Sequence, residues 1–241
     1  MLLQNNLRKK VDMNIAIIPA RSGSKRIKNK NIKLFFGKPL IYYAITAAIK
    51  SNVFDKIIVS SDSKKILNIA NKYGASTPFL RPKKLSGDNV KTIDVVKHSV
   101  EWSIKNYKKT NFFCCIYPAS PLLNYKDIIN SYSRIKENKF NYVFSVTKYS
   151  HPIERSFKIN DKNRIKLVNK DFIKKNTQKF ENSYHDAGQF YWGKKYAWLK
   201  KKEIFSKYSF AYVLPHLSSH DIDDMEDFEV NKKLFKIRLL K

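Results

Sequence analysis

Between positions 20 and 31 the chain sets Arg21, Lys25, Arg26, Lys28 and Lys30 among Ser22, Gly23 and Ser24. Small residues let backbone N–H groups approach an anion and the cations neutralise it, so this stretch suits a polyphosphate. It is neither a Walker A loop, because G-x-x-x-x-G-K-[ST] is absent, nor a G-x-G-x-x-G dinucleotide fingerprint. A solvated basic surface loop would have the same composition. Position separates the two readings, since a short cationic loop directly after a core strand is where an open α/β sheet presents its ligand. A second candidate is Asp221-Ile222-Asp223, in which alternation puts both carboxylates on one face of an extended segment and Ile222 on the other. Two hard oxygen ligands suit Mg²⁺, which takes one or two carboxylates together with phosphate oxygens and waters. The competing reading is an acid-rich helix start, with Asp224 as N-cap and Glu226 and Asp227 in the first turn. From the residues alone that helix start is the stronger reading. His185 beside Asp186 has the composition of an acid/base pair, although a lone His flanking a strand more often makes a structural or substrate hydrogen bond; His151 and His216 have weaker cases.

These side chains need a frame. An apolar run, Asn14 to Pro19, precedes the cationic loop, and Leu40, Ile41, Ala44, Ile45, Ala48 and Ile49 follow it at helical spacing. A second strand, Lys56 to Ser60, leads to a helix capped by Asp62 or Ser63 with Ile66, Leu67, Ile69 and Ala70 on one side. The stretch 76–91 contains Pro78, Pro82 and Gly87 and reads as loop. Then come a helix from Thr92 to Tyr107, a strand from Phe112 to Tyr117, a helix from Tyr125 to Glu137 and a strand from Asn141 to Thr147. Strands alternating with helices of this length predict an α/β fold, a Rossmann-like doubly wound and mostly parallel sheet with helices on both faces. From Tyr149 to Ser183 the pattern weakens, with short apolar pieces at Phe157–Ile159 and Arg164–Val168, and reads as a small β-rich insertion or dimerisation arm. Strands at Gly188–Trp192 and Phe210–Leu214 and a helix from Met225 to Lys236 complete one domain, residues 13–241. Phe190, Tyr191 and Trp192 read as core rather than as a sugar-stacking platform.

The chain has 241 residues, 43% of them hydrophobic, which is enough for a sizeable core. Its net charge of +28 invites a nucleic-acid reading. Lysine is nevertheless spread along the whole chain beside abundant Asn, Ile, Tyr and Phe, the residue usage of an AT-rich genome, and no nucleic-acid motif accompanies it. Neither a nucleic-acid nor a membrane partner is expected. Cys114 and Cys115 lie adjacent in an apolar run and read as small buried hydrophobes rather than as a disulfide or a metal framework. No apolar run is long enough to span a bilayer, and the polar, basic leader, residues 1–12, lacks the hydrophobic segment of a secretory signal. These features predict a cytoplasmic protein, with Met13 as the natural start and the leader outside the fold.

Several motifs in order carry a resemblance. Ile17-Ile18-Pro19-Ala20-Arg21-Ser22-Gly23-Ser24-Lys25, Lys30-Asn31-Ile32, Gly37-Lys38-Pro39-Leu40, Val59-Ser60-Ser61-Asp62, Leu80-Arg81-Pro82, Tyr117-Pro118-Ala119-Ser120-Pro121-Leu122 and Asp221-Ile222-Asp223 together resemble the acylneuraminate cytidylyltransferase family. Within it, Tyr184 to Gly193 is similar to the branch that activates pseudaminic acid. Sialic acid enzymes typically carry Asn-Gly where Ala187-Gly188 stands, and Gln where Tyr117 stands. The resemblance implies the nucleotide-diphospho-sugar transferase type of α/β fold, and CTP and an acidic nine-carbon sugar as substrates. It implies that Arg21, Ser24, Lys25 and Lys30 surround the triphosphate, with Ala20 and Ser22 also in the nucleotide site, and that Asn31 and Arg81 contact the cytidine. Tyr117, His185, Asp186 and Gln189 would bind the sugar. The matching motif turns Asp221 and Asp223 into Mg²⁺ ligands, and Arg21, Lys25, Lys30 and Asp223 into the residues that carry catalysis. The implied reaction is attack by the anomeric hydroxyl of a 2-keto-3-deoxy sugar acid on the α-phosphorus of CTP, driven by alignment and charge stabilisation with no side chain named as base. A homodimer through the 149–183 arm is implied as well. N-acetylneuraminate or legionaminate are the alternative sugars, and a 3-deoxy-manno-octulosonate cytidylyltransferase or a basic nucleic-acid-binding protein are the rival readings.

Overall fold

A computed structural model describes residues 13–107, 109–168 and 180–240. The expected leader, residues 1–12, lies outside them, as does the part of the expected arm at residues 169–179. The central sheet is built outward from β1 (Met13–Pro19), which pairs in parallel with β4 (Lys56–Ser60) on one side and β5 (Thr110–Ile116) on the other. Next to β5 runs β9 (Tyr184–Lys194), antiparallel both to β5 and to its outer neighbour β6 (Tyr142–Lys148). β10 (Ser209–Val213) is parallel to β6 and closes the edge, giving the order β10-β6-β9-β5-β1-β4. One strand therefore departs from an otherwise parallel sheet.

The central strands read as continuous apolar runs because both faces of the sheet are covered. Ile15 through Ile18 are all completely buried, and alternation divides them. Ala16 and Ile18 pack with α1 (Leu40–Ser51), α2 (Lys64–Lys72) and α4 (Tyr125–Lys136), while Ile15 and Ile17 pack with α3 (Thr92–Asn106) and the short α5 (Lys195–Leu199). Cys114 and Cys115 divide in the same way, one to each face; both are unpaired and buried, and burial pushes both thiols well above their usual range. Of the two expected caps, Ser63 starts α2, its hydroxyl accepting from the Ile66 N–H at 3.4 Å.

A third, smaller core lies apart from the sheet and was not expected from the sequence. Its centre is Phe35 in a minimal hairpin, β2 (Leu34–Phe35) and β3 (Lys38–Pro39), turned by Phe36 and Gly37 at φ 44° and 75°. Edge-on contacts at 5.4 to 5.5 Å join Phe35 to Tyr43 of α1 and to Phe228 and Phe235 of α6 (Met225–Leu239). Ile27 of the cationic loop and Ile222 of the acidic segment are buried in this same core. The loop and the acidic segment thus share one core.

In the expected arm, β7 (Phe157–Ile159) and β8 (Ile165–Leu167) form an antiparallel hairpin with Phe157 opposite Leu167 and Ile159 opposite Ile165. Among the described residues no helix is long and apolar enough to cross a membrane.

Candidate active site

The cationic loop leaves β1 at the C-terminal end of the parallel strands. The Ala20 N–H extends the ladder by donating to Ser60 O at 2.9 Å, and the Ser22 N–H and hydroxyl both bond Asp62, at 3.0 and 2.8 Å. The buried Asn31 donates to Arg21 O at 2.9 Å, tying the two ends of the loop together. Those bonds leave the loop cations projecting into a cleft of about 370 Å³.

Arg21, Ser24, Lys25, Lys30, Asn31 and Arg81, six of the proposed nucleotide contacts, line that cleft. Ala20 and Ser22 do not: Ala20 is buried with its N–H spent on Ser60, and the Ser22 donors are spent on Asp62. Arg21 and Lys25 are both bound by the Asp88 carboxylate, at 2.5 and 2.6 Å. Arg26 and Lys30 reach Asp223 at 3.0 and 3.8 Å, and Lys30 also donates to Ile222 O at 2.6 Å. Arg81 is buried 3.7 Å from Asp62 and its Nε–H has no partner among the described residues. Burial lowers its pKa, with Asp62 opposing and Arg21 assisting.

Asp88 escaped sequence reasoning, although it is the only acidic residue between Asp62 and Asp94. Hydrogen bonds and charge from Lys25, then Arg21, hold its carboxyl below the usual range. Asp88 and Asp223 thus neutralise part of the charge of the four loop cations, in contacts that a polyanion would replace.

The acidic segment starts a helix, as one reading of its sequence expects. Asp224 caps α6 in a reciprocal box with Asp227, its carboxylate accepting from the Asp227 N–H at 3.0 Å while Asp227 accepts from the Asp224 N–H at 3.1 Å. Just before the cap, Ile222 is fully buried, Asp223 borders the cleft and Asp221 accepts from the Ile222 N–H at 2.7 Å. Desolvation raises the Asp221 pKa, the Ile222 N–H and Lys30 oppose the rise, and the Asp223 and Asp227 charges add to it. A divalent cation there would relieve that penalty. No group of three or more His, Cys, Asp or Glu among the described residues forms a cage for a metal. Asp223 on the cleft, with Asp221 two residues before it, nonetheless offers the kind of carboxylate oxygens that Mg²⁺ takes when phosphates and waters complete its shell.

The residues expected at the sugar divide between two environments. Tyr117 borders the cleft with its hydroxyl 3.3 Å from Thr92 Oγ1, and burial pushes its phenol up to about 12. Asp186 is exposed and accepts from the Tyr191 hydroxyl at 2.5 Å and the Gly188 N–H at 3.1 Å. Gly188 separates Tyr117 from Asp221, since a Cβ there would lie 4.0 Å from Tyr117 Cδ2 and 3.4 Å from Asp221 Oδ2. Gln189 is turned inward: its amide donates to Ser218 O and its Oε1 is buried without a partner among the described residues. His185 is exposed and packs on the Tyr149 ring at 4.7 Å, with its Nδ1 at the Asp186 carbonyl rather than the carboxylate. Sequence adjacency therefore does not make an acid/base pair of His185 and Asp186.

A cationic loop after the first strand of an open α/β sheet, with Asp223 on the same cleft, suits a nucleotidyltransferase. Residues 15–240 match the cytidylyltransferase family, and the chain belongs to it. It is 40% identical to the pseudaminic acid cytidylyltransferase of Campylobacter jejuni over 93% of this chain and 97% of that protein. It is 36% identical to the N-acylneuraminate cytidylyltransferase of Escherichia coli over 90% of this chain and 50% of that longer protein. A CMP:2-keto-3-deoxy-manno-octonic acid synthetase complexed with CTP shares the fold, with a TM-score of 0.68 over 94% of this chain and 100% of that one, at 13% identity. The alternative of a basic nucleic-acid-binding protein gives way to family membership.

Proposed function

We propose that the enzyme transfers the cytidylyl group of CTP to the anomeric hydroxyl of pseudaminic acid and releases pyrophosphate. The observation that carries this reading is the cleft itself, where four loop cations share two carboxylates, Asp88 and Asp223, among the described residues, with Tyr117 in the same lining. The 40% identity to a pseudaminic acid cytidylyltransferase across nearly its whole length selects the sugar.

The triphosphate would replace Asp88 on Arg21 and Lys25 and lie against Lys30 and Ser24. The buried, unpartnered Nε–H of Arg81 suits an acceptor of the cytidine, with Asn31 at the other side of the loop. Asp221 and Asp223 would hold Mg²⁺, which when bound neutralises phosphate charge and helps align the triphosphate. The anomeric oxygen forms a bond to the α-phosphorus, the bond to the bridging oxygen breaks, pyrophosphate leaves with that electron pair, and the hydroxyl proton passes to solvent. Arg21, Lys25 and Lys30 stabilise the charge that develops on the leaving phosphates, so positioning and electrostatics carry the rate.

The enzyme works as a homodimer on this reading. One face of the β7–β8 hairpin gathers Phe157, Ile159 and Ile165, which are 52%, 63% and 62% exposed, and a second copy of the same apolar face is its natural cover. Its nucleotide substrate and two unpaired cysteines fit the cytoplasm.

The sugar is tested by supplying purified enzyme, CTP and Mg²⁺ with pseudaminic, N-acetylneuraminic or legionaminic acid, or 3-deoxy-manno-octulosonate. The expected kcat/KM is highest for pseudaminic acid. Faster turnover of N-acetylneuraminate, which the likeness to the Escherichia coli enzyme favours, would overturn the assignment.

A further inference from the structure

β9 leaves regular pairing beside Tyr117, which borders the cleft. Asp186 stands opposite Val146 and Tyr191 opposite Phe144, so β9 takes five residue steps where β6 takes two. The excess chain forms a bulge across Ala187 to Phe190, with Gly188 at φ 59°. In an uninterrupted strand, residues five apart point to opposite faces and stand about 17 Å from one another. Here the bulge folds Asp186 back until its Oδ2 accepts the Tyr191 hydroxyl at 2.5 Å, while Oδ1 accepts the Gly188 N–H at 3.1 Å. Bulges beside active sites commonly re-aim a side chain in this way.

Tyr191 is a core residue by burial, at 4% exposure, yet its polar end does not serve the core. Its ring packs on Tyr117 at 5.3 Å and lies parallel to Phe144, which fixes the hydroxyl in place. Burial, with the charges of Tyr117 and Asp186 acting in the same direction, raises the phenol far above its usual pKa. It remains a neutral donor at any working pH. One residue thus stands between the tyrosine that borders the cleft and the carboxylate beyond it.

The geometry points to Tyr191 as the positioning residue that fixes Asp186 as an acceptor-only wall of the sugar subsite. This inference rests on the sugar-acid reading above. An ionised carboxylate carries no donor, and each Asp186 oxygen keeps lone pairs beyond its one protein partner. Such a wall accepts a hydroxyl or acylamino N–H of the sugar and repels the sugar's own carboxylate. In the ring form of a 2-keto sugar acid, the carboxylate and the reacting hydroxyl share the anomeric carbon. Turning the carboxylate away from Asp186, toward the cations across Tyr117, therefore carries the anomeric hydroxyl toward the triphosphate. Tyr191 never touches the substrate; it sets the direction from which Asp186 does.

Tyr191→Phe removes a single oxygen and keeps the ring packing, so steady-state kinetics on the full chain with pseudaminic acid, CTP and Mg²⁺ isolate the hydroxyl. The expected result is a KM for the sugar raised about tenfold or more, with the KM for CTP and the thermal midpoint unchanged. Asp186→Asn should show the same split, and the double variant should be no worse than Asp186→Asn alone, because the two groups act through one contact. An unchanged sugar KM in Tyr191→Phe, or sugar and CTP KM values rising together, overturns the inference while wild-type turnover of pseudaminic acid stands. Absence of wild-type turnover overturns the sugar assignment itself, and the inference with it.

Discussion

Asp88 is the residue that most changes how the cleft is understood. Its carboxylate pairs with Arg21 and Lys25, so on the proposed reading CTP competes with an internal anion for both cations. Because those cations hold its pKa below the usual carboxylate range, the competing charge is present above that lowered value and is lost only as pH falls through it. Asp88→Asn should therefore lower the KM for CTP several-fold across the neutral range without loss of folding. An unchanged or higher KM in initial-rate measurements would mean that Asp88 aids the nucleotide rather than opposing it. The cations themselves were legible in the sequence because charge, small residues and position after a strand coincide in one loop. Asp88 was not, since a lone acid in a lysine-rich stretch carries no pattern until the fold brings it onto Arg21. Tyr191 was read as core, and its ring is buried as that reading requires; its hydroxyl acquires a role only through a bulge that periodicity does not encode.

Among the elements, the parallel strands and their helices were the most legible, because burial on both faces leaves long apolar runs. β4 matches its expected span, and α1, α3 and α4 start where expected. β9 begins four residues earlier than the expected Gly188, at Tyr184, because its first residues are polar and exposed and alternate poorly. The β2–β3 hairpin and α5 are too short to show a period, yet the hairpin centres the core that joins the loop to Asp221 and Asp223. Gly193 gives the element scale its test. A methyl there would overlap the Trp198 indole and stand 2.7 Å from Tyr142 Cδ1, in the contact that seats α5 on the sheet. Gly193→Ala should cost about 1–3 kcal/mol of stability, seen as a lower midpoint in chemical unfolding. A wild-type midpoint would show that α5 yields without cost.

For the whole molecule, a charge of +28 belongs to solubility and to the attraction of anionic substrates rather than to one binding stripe. Family membership accounts for the fold. The apolar hairpin face makes a separate claim. In sedimentation equilibrium the parent chain should run as a dimer, and replacing Phe157 and Ile165 together by Ser should leave a folded monomer. A dimer that persists through the double substitution would place the interface elsewhere.

The central claim, that the cationic cleft joins CTP to a nine-carbon sugar acid, is tested most directly by following products with CTP, Mg²⁺ and pseudaminic acid. Wild-type enzyme should yield CMP-pseudaminic acid and pyrophosphate in equal amounts, and folded Arg21→Ala should yield neither. Equal yields from the two proteins, or pyrophosphate released without a CMP-sugar, would contradict it.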